Sequence, residues 1–300
     1  MTGLWALIRR NTKLYFKDKG MFFTSLITPI ILLVLYVTFL ANVYEDSIRS
    51  ALLEAGVTVS DKLIWGCVGG ELVSSILAVS CVTVAFCSNL LMVQDKVSGA
   101  RKDLTIAPIN PGALALSYFV STALSTLIIN FSALGVCLLY LAKVGWYLSA
   151  SDVAALALDV VLMVLFGTAF SSCVIFPLST SGQASAVGTV VSAGYGFLCG
   201  AYMPISSFSE GLQKVLSFLP GTYGTSLFRN HALGGVFEEM RSIGFPAEVV
   251  EAIRDSVDCN LYFFGEKVTI GSMYVILLAT VIIATGLYVC LNLLLSKKKS

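Results

Sequence analysis

The sequence predicts an all-α integral membrane protein with six transmembrane helices. Hydrophobic residues make up 57% of its 300 residues and charged residues only 12%, about half the charge of an ordinary soluble domain. A helix that crosses a bilayer needs roughly 20 mostly apolar residues. Six stretches meet that requirement, and they leave no room for a separate soluble domain. They are residues 20–42, 64–93, 112–142, 153–178, 183–203 and 268–295.

The first 19 residues predict a basic amphipathic helix that lies in the cytoplasmic interface. Apolar residues recur at helical spacing there, while Arg9, Arg10, Lys13 and Lys17 fall on the other face. The alternative is a flanking segment whose charges only set orientation. The first continuous apolar run begins near Met21 and is long enough to span, so we interpret it as a retained helix rather than a signal peptide.

The distribution of charge predicts the orientation. Basic residues accumulate in cytoplasmic loops, and more than half of the 19 Lys and Arg residues lie in the N-terminal segment, the loop after the second span and the C-terminal tail, Lys297–Lys299. The loops that alternate with these basic segments carry acidic residues, from Glu45 to Asp61 and from Glu210 to Glu266. We therefore expect a multi-pass protein of the cell membrane with both termini in the cytoplasm.

Small residues recur at helical spacing in the second and fifth spans. Such a seam lets helices approach closely in lipid, and it also suits the smooth wall of a path across the membrane. Packing is the plainer explanation for any single residue. The candidate path residues are Gly70, Ser74, Thr189, Ser192, Gly196 and Gly200.

Residues 204–267 are too long for a simple loop and predict an external helical insert. One short amphipathic helix ends at Pro220 and another begins after Pro246. The FLPGTYG sequence at 218–224 suits a re-entrant turn that dips back into the membrane. The predicted organisation has four parts: 1–19, the interfacial helix; 20–203, spans one to five with a cytoplasmic loop at 94–111; 204–267, the insert; and 268–300, span six and a basic tail.

The chain lacks the motifs of an enzyme. No Gly-Lys pair occurs, which excludes a P-loop, and the single histidine, His231, excludes a multi-histidine metal site. We expect no catalytic residue, metal or bound cofactor, and we interpret His231 as solvated or packed between helices rather than as a pH sensor. Glu71 and Asp159 fall within apolar runs, where substrate contact, water access and a structural hydrogen bond remain open. For Cys259, a free thiol and a disulfide to Cys67 or Cys199 are both open.

Two segments resemble the ABC-2 type permeases, the membrane subunits of ATP-binding-cassette exporters. QDKVSGARKDLTIAPINPGALALSYF, Gln94 to Phe119, is similar to the loop that forms the family's coupling helix. GAYMPISSFSEGLQKVLSFLPGTYGTSLFR, Gly200 to Arg229, resembles the family's signature of Gly, Pro, an amphipathic stretch, a second Pro and an aromatic turn. This chain has Leu219-Pro220 where the family often has Asn-Pro. The likeness covers nearly the whole chain.

The resemblance implies the type V (ABCG-like) fold and the permease of an exporter. ATP and Mg would be bound by separate ATPase subunits, and a second permease chain, identical or homologous, would complete the path in the lipid bilayer. No nucleic-acid partner is expected. The residues implied to contact the ATPase are Asp95, Gly99, Arg101, Lys102, Leu104 and Ile106. Those implied to form an external gate are Pro204, Phe208, Pro220 and Tyr223.

The expected substrate is hydrophobic or amphipathic: a drug, antibiotic, peptide or lipid. The protein is expected to be bacterial. A polysaccharide or glycolipid export permease is the nearest alternative, although those relatives tend to line the path with aromatic residues. A membrane-embedded enzyme and an ion channel belong to other classes. The first lacks a nucleophile–base or metal constellation, and the second lacks a selectivity filter or charged ring.

Overall fold

The structure is a computed structural model that describes residues 2–42, 45, 46, 49, 60–106 and 109–297. Those residues form a bundle of α-helices and one short β-hairpin. The helices before the insert are α1 (Thr2–Lys17), α2 (Lys19–Leu35), α3 (Asp61–Asn89), α4 (Leu91–Val97), α5 (Ala100–Ile106), α6 (Pro111–Val144), α7 (Ala150–Ile175) and α8 (Ser181–Leu198). The remaining elements are α9 (Glu210–Leu216), α10 (Pro220–Ser242), α11 (Ala247–Ser256), β1 (Leu261–Phe263), β2 (Glu266–Val268) and α12 (Ile270–Lys297).

Within the described residues, four helices are long and apolar enough to cross a membrane. They are Asp61–Val97, Pro111–Val144, Ala150–Ile175 and Ile270–Leu294, and the bent pair α1–α2 would make a fifth. The sequence predicted six spans. The difference arises at α2, which has 17 residues before a π-helical turn at Tyr36–Leu40, and at α8, whose many Gly and Ser residues lower its hydropathy. The all-α membrane class is confirmed, and the count of six remains a prediction.

The N-terminal segment forms two helices with a 71° bend between them. Asp18 separates the two and caps α2, since its carboxylate accepts a hydrogen bond from the backbone N–H of Met21 at 3.1 Å. α1 packs along α6. α1 therefore runs at a steep angle to α2, as expected for a helix at the interface. Several other predicted features lie outside the described residues, namely Glu54 of the first external loop and Lys298 and Lys299 of the tail.

α3 is the centre of the bundle and is buried along almost its whole length. It packs against α2, α6, α7, α8 and α10. Its glycines allow these close approaches, because a Cβ on Gly66 would lie 2.8 Å from the Tyr147 ring, and one on Gly70 only 2.4 Å from Leu233. The small residues of the second span thus serve helix packing at these two positions.

The insert contains the two predicted short helices, α9 and α11, and between them a long helix, α10, that was not predicted. α10 is a helix of 23 residues that is buried along most of its length against α3, α7 and α12. A Cβ on Gly224 would meet Met163, deep in α7, whereas one on Gly235 would meet Tyr147, just before α7 begins. α10 therefore runs antiparallel to the N-terminal half of α7. The antiparallel β1–β2 hairpin was not predicted, because its strands have only three residues each.

Two adjacent glycines of α10 provide a matched test of this packing. A Cβ on Gly235 would lie 1.8 Å from the backbone oxygen of Tyr147, whereas one on Gly234 would make an ordinary contact, 3.5 Å from Asp152. We expect Gly235→Ala to lower the free energy of unfolding by about 1–3 kcal/mol through overpacking. Gly234→Ala should leave it unchanged or raise it by up to about 1 kcal/mol, because Ala is the better helix former. Thermal unfolding in detergent, followed by size-exclusion chromatography, measures both, and equal midpoints for the two variants would contradict the packing described.

Candidate functional site

The loop after α3 folds into two short helices, α4 and α5, and Asp95 anchors them to the bundle. Its carboxylate accepts hydrogen bonds from the two terminal guanidinium nitrogens of Arg10, at 2.7 and 2.9 Å, and from the Tyr118 hydroxyl at 2.6 Å. The carboxylate is almost completely buried. A bidentate, charge-assisted contact of this kind fixes orientation as well as distance. Asp95 therefore joins α4 to the interfacial helix α1 and to α6.

The end of α7 supports the other side of this segment. The Lys96 ammonium donates hydrogen bonds to the backbone oxygens of Phe176 and Leu178, the second at 2.7 Å. The Arg101 guanidinium lies 5.7 Å from the Phe176 ring centroid, a distance typical of a cation–π contact. Between the two helices Gly99 has φ +84°, a conformation that suits glycine.

The predicted coupling residues divide into an inner and an outer group. Asp95 is buried, Arg101 is half-buried over Phe176, and Leu104 packs against the apolar cluster beneath α5. Lys102 is exposed, and Ile106 is 84% exposed. The outer group is the one that a soluble partner could reach first.

A cavity of about 770 Å³ lies between α2, α3 and α8. None of the described residues that line it is charged. Its wall combines aliphatic side chains with the hydroxyl groups of Thr, Ser and Tyr. The lining residues are Thr24, Ile27, Ile31, Leu32, Leu35, Tyr36, Ser75, Cys87, Leu90, Ala184, Ser185, Gly188, Thr189, Ser192, Ala193, Phe197, Ala201 and Tyr202.

The predicted path residues are only partly brought together at this cavity. Thr189 and Ser192 lie on its wall, whereas Ser74 is buried and Ser75 takes its place. One residue turns a helix by about 100°, so spacing alone does not give this rotation. Gly70, Gly196 and Gly200 do not line the cavity. Each lies instead where another side chain approaches closely.

Three aromatic residues, Tyr36, Phe197 and Tyr202, line the end of the cavity that is predicted to be external. Phe197 and Tyr202 form an edge-to-face pair with ring centroids 5.0 Å apart, and the Tyr36 hydroxyl donates to the backbone oxygen of Val68. A Cβ on Gly196 would lie 2.3 Å from the Tyr202 ring. The absence of a side chain at Gly196 therefore lets this ring fold back over α8.

The four predicted gate residues lie apart from this cavity wall. Tyr223 is buried at the start of α10, where its hydroxyl donates to the backbone oxygen of Ser217 at 2.5 Å. Pro220 is the first residue of that helix. Pro204 and Phe208 flank the turn before α9 and are half-buried. Sequence reasoning missed Phe197 and Tyr202, although the aromatic residues within a run of small ones gave a signal.

A buried cluster of charges connects α3 to the insert. The Arg229 guanidinium, only 1% exposed, donates to Glu71 at 3.2 Å, to Asp258 at 3.1 Å and to the backbone oxygen of Gly200 at 2.7 Å. Breaking such a buried pair costs about 3–5 kcal/mol, because a charge is left without a partner. Glu71 thus has a protein partner and does not line the cavity. Arg229 is the last residue of the Gly200 to Arg229 motif, and the sequence alone assigned it no role.

The second intramembrane acid also has protein partners. Asp159 of α7 bonds to the Nδ1 atom of His231 at 2.6 Å and accepts the Tyr274 hydroxyl at 2.7 Å. These contacts join α7, α10 and α12. Asp159 and His231 therefore pack between helices, and neither lines the cavity.

Cys259 is a free thiol, as are Cys67 and Cys199. It is 2% exposed, and burial raises the pKa of this thiol well above its ordinary value. A thiol kept protonated in this way is a poor nucleophile for disulfide exchange. The alternative of a disulfide to Cys67 or Cys199 is therefore not adopted in this structure.

These features define a helical membrane protein with an uncharged intramembrane cavity and a short helical segment at one end of the bundle. The family model for ABC-2 type transporters matches residues 2–232. The chain belongs to the ABC-2 type transporter family, and it is the membrane component of an ATP-binding-cassette transporter. Members of this family work with ABC ATPases. No curated protein matches the chain.

The Arg10–Asp95 pair gives a test of how the segment is anchored. We expect Asp95→Asn to lower the free energy of unfolding by about 2 kcal/mol, the usual value for a lost hydrogen bond to a charged group. Combining it with Arg10→Gln should cost less than the sum of the two single changes, because both remove the same contact. Thermal unfolding in detergent provides the measurement. Asp103→Asn, on the exposed side of α5, serves as the control, and additive effects of the two changes would contradict the pairing.

Proposed function

We propose that this chain is the permease subunit of an ABC exporter that moves a hydrophobic or amphipathic molecule outward across the cell membrane. The cavity carries the proposal. Its volume is about 770 Å³, its described wall is uncharged and bears hydroxyl groups, and it lies in a chain of this family. Pockets of this size and polarity bind drug-sized ligands. Drugs, antibiotics, peptides and lipids fit that description.

The proposed arrangement in the membrane has six spans, with α2 and α8 counted among them and both termini in the cytoplasm. α1 then lies in the inner interface, and α10 re-enters the outer half of the bilayer. The positive-inside pattern and the antiparallel course of α10 along α7 support this topology. A bacterial cell membrane is the proposed location.

A second permease chain, identical or homologous, would complete the path. α8 supports this proposal, because only Ala184, Tyr195 and Gly196 of its residues are buried within the chain. Its small residues suit close approach to another helix. Polysaccharide export receives less support, because the aromatic residues of the cavity lie at one end instead of along its length.

The energy would come from ATP and Mg bound by separate ATPase subunits. In this proposal the ATPase docks on α5, and closure of the two ATPase subunits moves α4 and α5 together. The contacts of Asp95 with α1 and α6, and those of Lys96 with the end of α7, support such joint movement. The bundle would then alternate between inward and outward access.

The coupling proposal is tested by the charges of α5. We expect Arg101→Glu with Lys102→Glu to abolish most substrate-stimulated ATP hydrolysis in the reconstituted complex, because an interface complementary to basic residues would meet like charge. A scramble of residues 100–106 that keeps every charge should also fail, since it displaces Ile106 and Leu104. The positive-inside rule counts charges and ignores their order. Normal coupling by the scramble would therefore mean that these charges only set topology.

The path proposal is tested on the cavity wall. Thr189→Leu and Ser192→Leu fill part of the cavity, so we expect each to reduce substrate transport several-fold while the thermal midpoint stays unchanged. Val136→Leu on α6 is the control, because Val136 lies outside the lining, is 65% exposed and is not on the helix proposed to meet the second chain. Gly70→Leu and Gly196→Leu should instead lower stability through overpacking. Unimpaired transport by both lining variants would exclude this cavity as the path.

A further inference from the structure

The segment at the end of the cavity that is predicted to be external is held by two side chains, one at each of its ends, which also contact each other. We define residues 200–206 as the gate segment. At its start, the Gly200 backbone oxygen accepts a hydrogen bond from Arg229 at 2.7 Å. At its end, the backbone N–H groups of Ile205 and Ser206 donate to Asp258 at 2.5 and 3.2 Å. Arg229 and Asp258 also contact each other at 3.1 Å, which closes the loop of contacts.

Tyr202 lies between these two fixed points. Its ring rests over Gly196 and its hydroxyl donates to the backbone oxygen of Ser192 at 3.4 Å. Ser192 is itself on the cavity wall. A movement of the whole gate segment that carries Tyr202 away from the cavity would therefore change the contacts at Gly200 and at residues 205–206.

The backbone at both fixed points depends on unusual conformations. Gly200 has φ +75° and Asp258 has φ +51°. A non-glycine residue with positive φ is uncommon, and Asp and Asn are the types that tolerate it best. Asp258 thus combines an uncommon backbone conformation with a carboxylate that binds the gate segment.

A further contact connects these groups to the central helix. Arg229 donates through Nε to Glu71 of α3, and the other end of that helix leads through α4 into α5. All three charged side chains are at most 4% exposed. Because a buried charge needs its partner, the gate segment has a well-defined closed position relative to α3.

We propose that Arg229 and Asp258 form a latch that holds the gate segment closed over the cavity, with Glu71 joining the latch to α3. This inference rests on the proposed function, since it assumes that the cavity opens toward the outside. Arg229 is a positioning residue in this account, because it acts through Gly200 and Asp258 and does not line the cavity. Outward opening requires Arg229 to release the Gly200 oxygen, or Asp258 to release the N–H groups of residues 205–206.

The test measures access from outside to a cysteine placed beneath Tyr202. Ser192→Cys is introduced into the full chain, in right-side-out vesicles that also contain its ATPase and no ATP. A charged, membrane-impermeant methanethiosulfonate is added, and mass spectrometry of the peptide gives the labelling rate at position 192 separately from the native cysteines. Arg229→Gln, Arg229→Lys and Asp258→Asn are each combined with this reporter. Asn is chosen because it keeps the shape of the side chain and accepts the positive φ.

We expect Arg229→Gln and Asp258→Asn to speed labelling at least about tenfold, the population shift that the loss of one charge-assisted contact produces. Arg229→Lys should fall between these variants and the parent, because the ammonium keeps the charge, but its single nitrogen cannot reach the three acceptors that the separate guanidinium nitrogens contact. Arg254→Gln is the matched control. The Arg254 side chain contacts Asn230 and Glu251, both in the insert and outside the gate segment, so the labelling rate of the Arg254→Gln variant should equal that of the parent.

Labelling at the parental rate in Asp258→Asn would overturn the latch, and this variant decides alone if Arg229→Gln fails to accumulate. A rise in Arg254→Gln equal to that in Arg229→Gln would overturn it too, because general loosening of the insert would then explain both. The proposed function has a separate readout. The proposed function requires that position 192 be labelled faster while the ATPase hydrolyses ATP, in the chain that carries only the Ser192→Cys change. If ATP leaves the labelling rate unchanged, the proposed path is excluded, whereas the latch is judged only from the variants measured without ATP.

Discussion

The fold depends on the requirement that polar groups carried into an apolar interior find partners within the protein. The long helical stretch from α3 into α4 carries two such carboxylates, Glu71 and Asp95, about 36 Å apart along the axis. An arginine from a helix outside the predicted spans meets each of them, Arg229 from α10 and Arg10 from α1. The central helix is thereby fixed at both ends to elements that lie toward opposite sides of the membrane.

The same central helix explains why small residues have two distinct roles in this chain. On α3 they admit the neighbouring helices, as Gly66 admits Tyr147 and Gly70 admits Leu233. On α8 most of them remain uncovered within the chain, and several border the cavity. The chemistry of the residues is alike, and the difference lies in whether another helix is present to fill the space.

Much of the bundle could be predicted because it follows from periodicity and length. The long apolar runs, the basic face of α1, and Pro246 just before α11 are all local signals. The family resemblance also rested on local motifs, and the match over residues 2–232 confirms it. The limits of α2 and α8 were harder to predict, because a π-helical turn and a low hydropathy interrupt the signal.

The site could be predicted only in part, because its contacts join distant parts of the chain. Arg10 and Asp95 are 85 positions apart, and Glu71 and Arg229 are 158 apart. Spacing within one helix placed Thr189 and Ser192 on a common face, but it could not tell Ser74 from Ser75. That distinction depends on how α3 is rotated against α10, which a single sequence does not encode locally.

The uncharged lining of the cavity has an energetic consequence for an electrically polarised membrane. Moving one elementary charge across 100 mV involves about 2.3 kcal/mol. None of the described lining residues places a charge along the proposed route, and a neutral cargo would add none. Each transport step of this kind would be electroneutral, so the membrane voltage would neither drive nor oppose it. ATP hydrolysis would then have to supply only the free energy of moving the cargo up its concentration gradient. That free energy is about 1.4 kcal/mol for every tenfold difference in concentration.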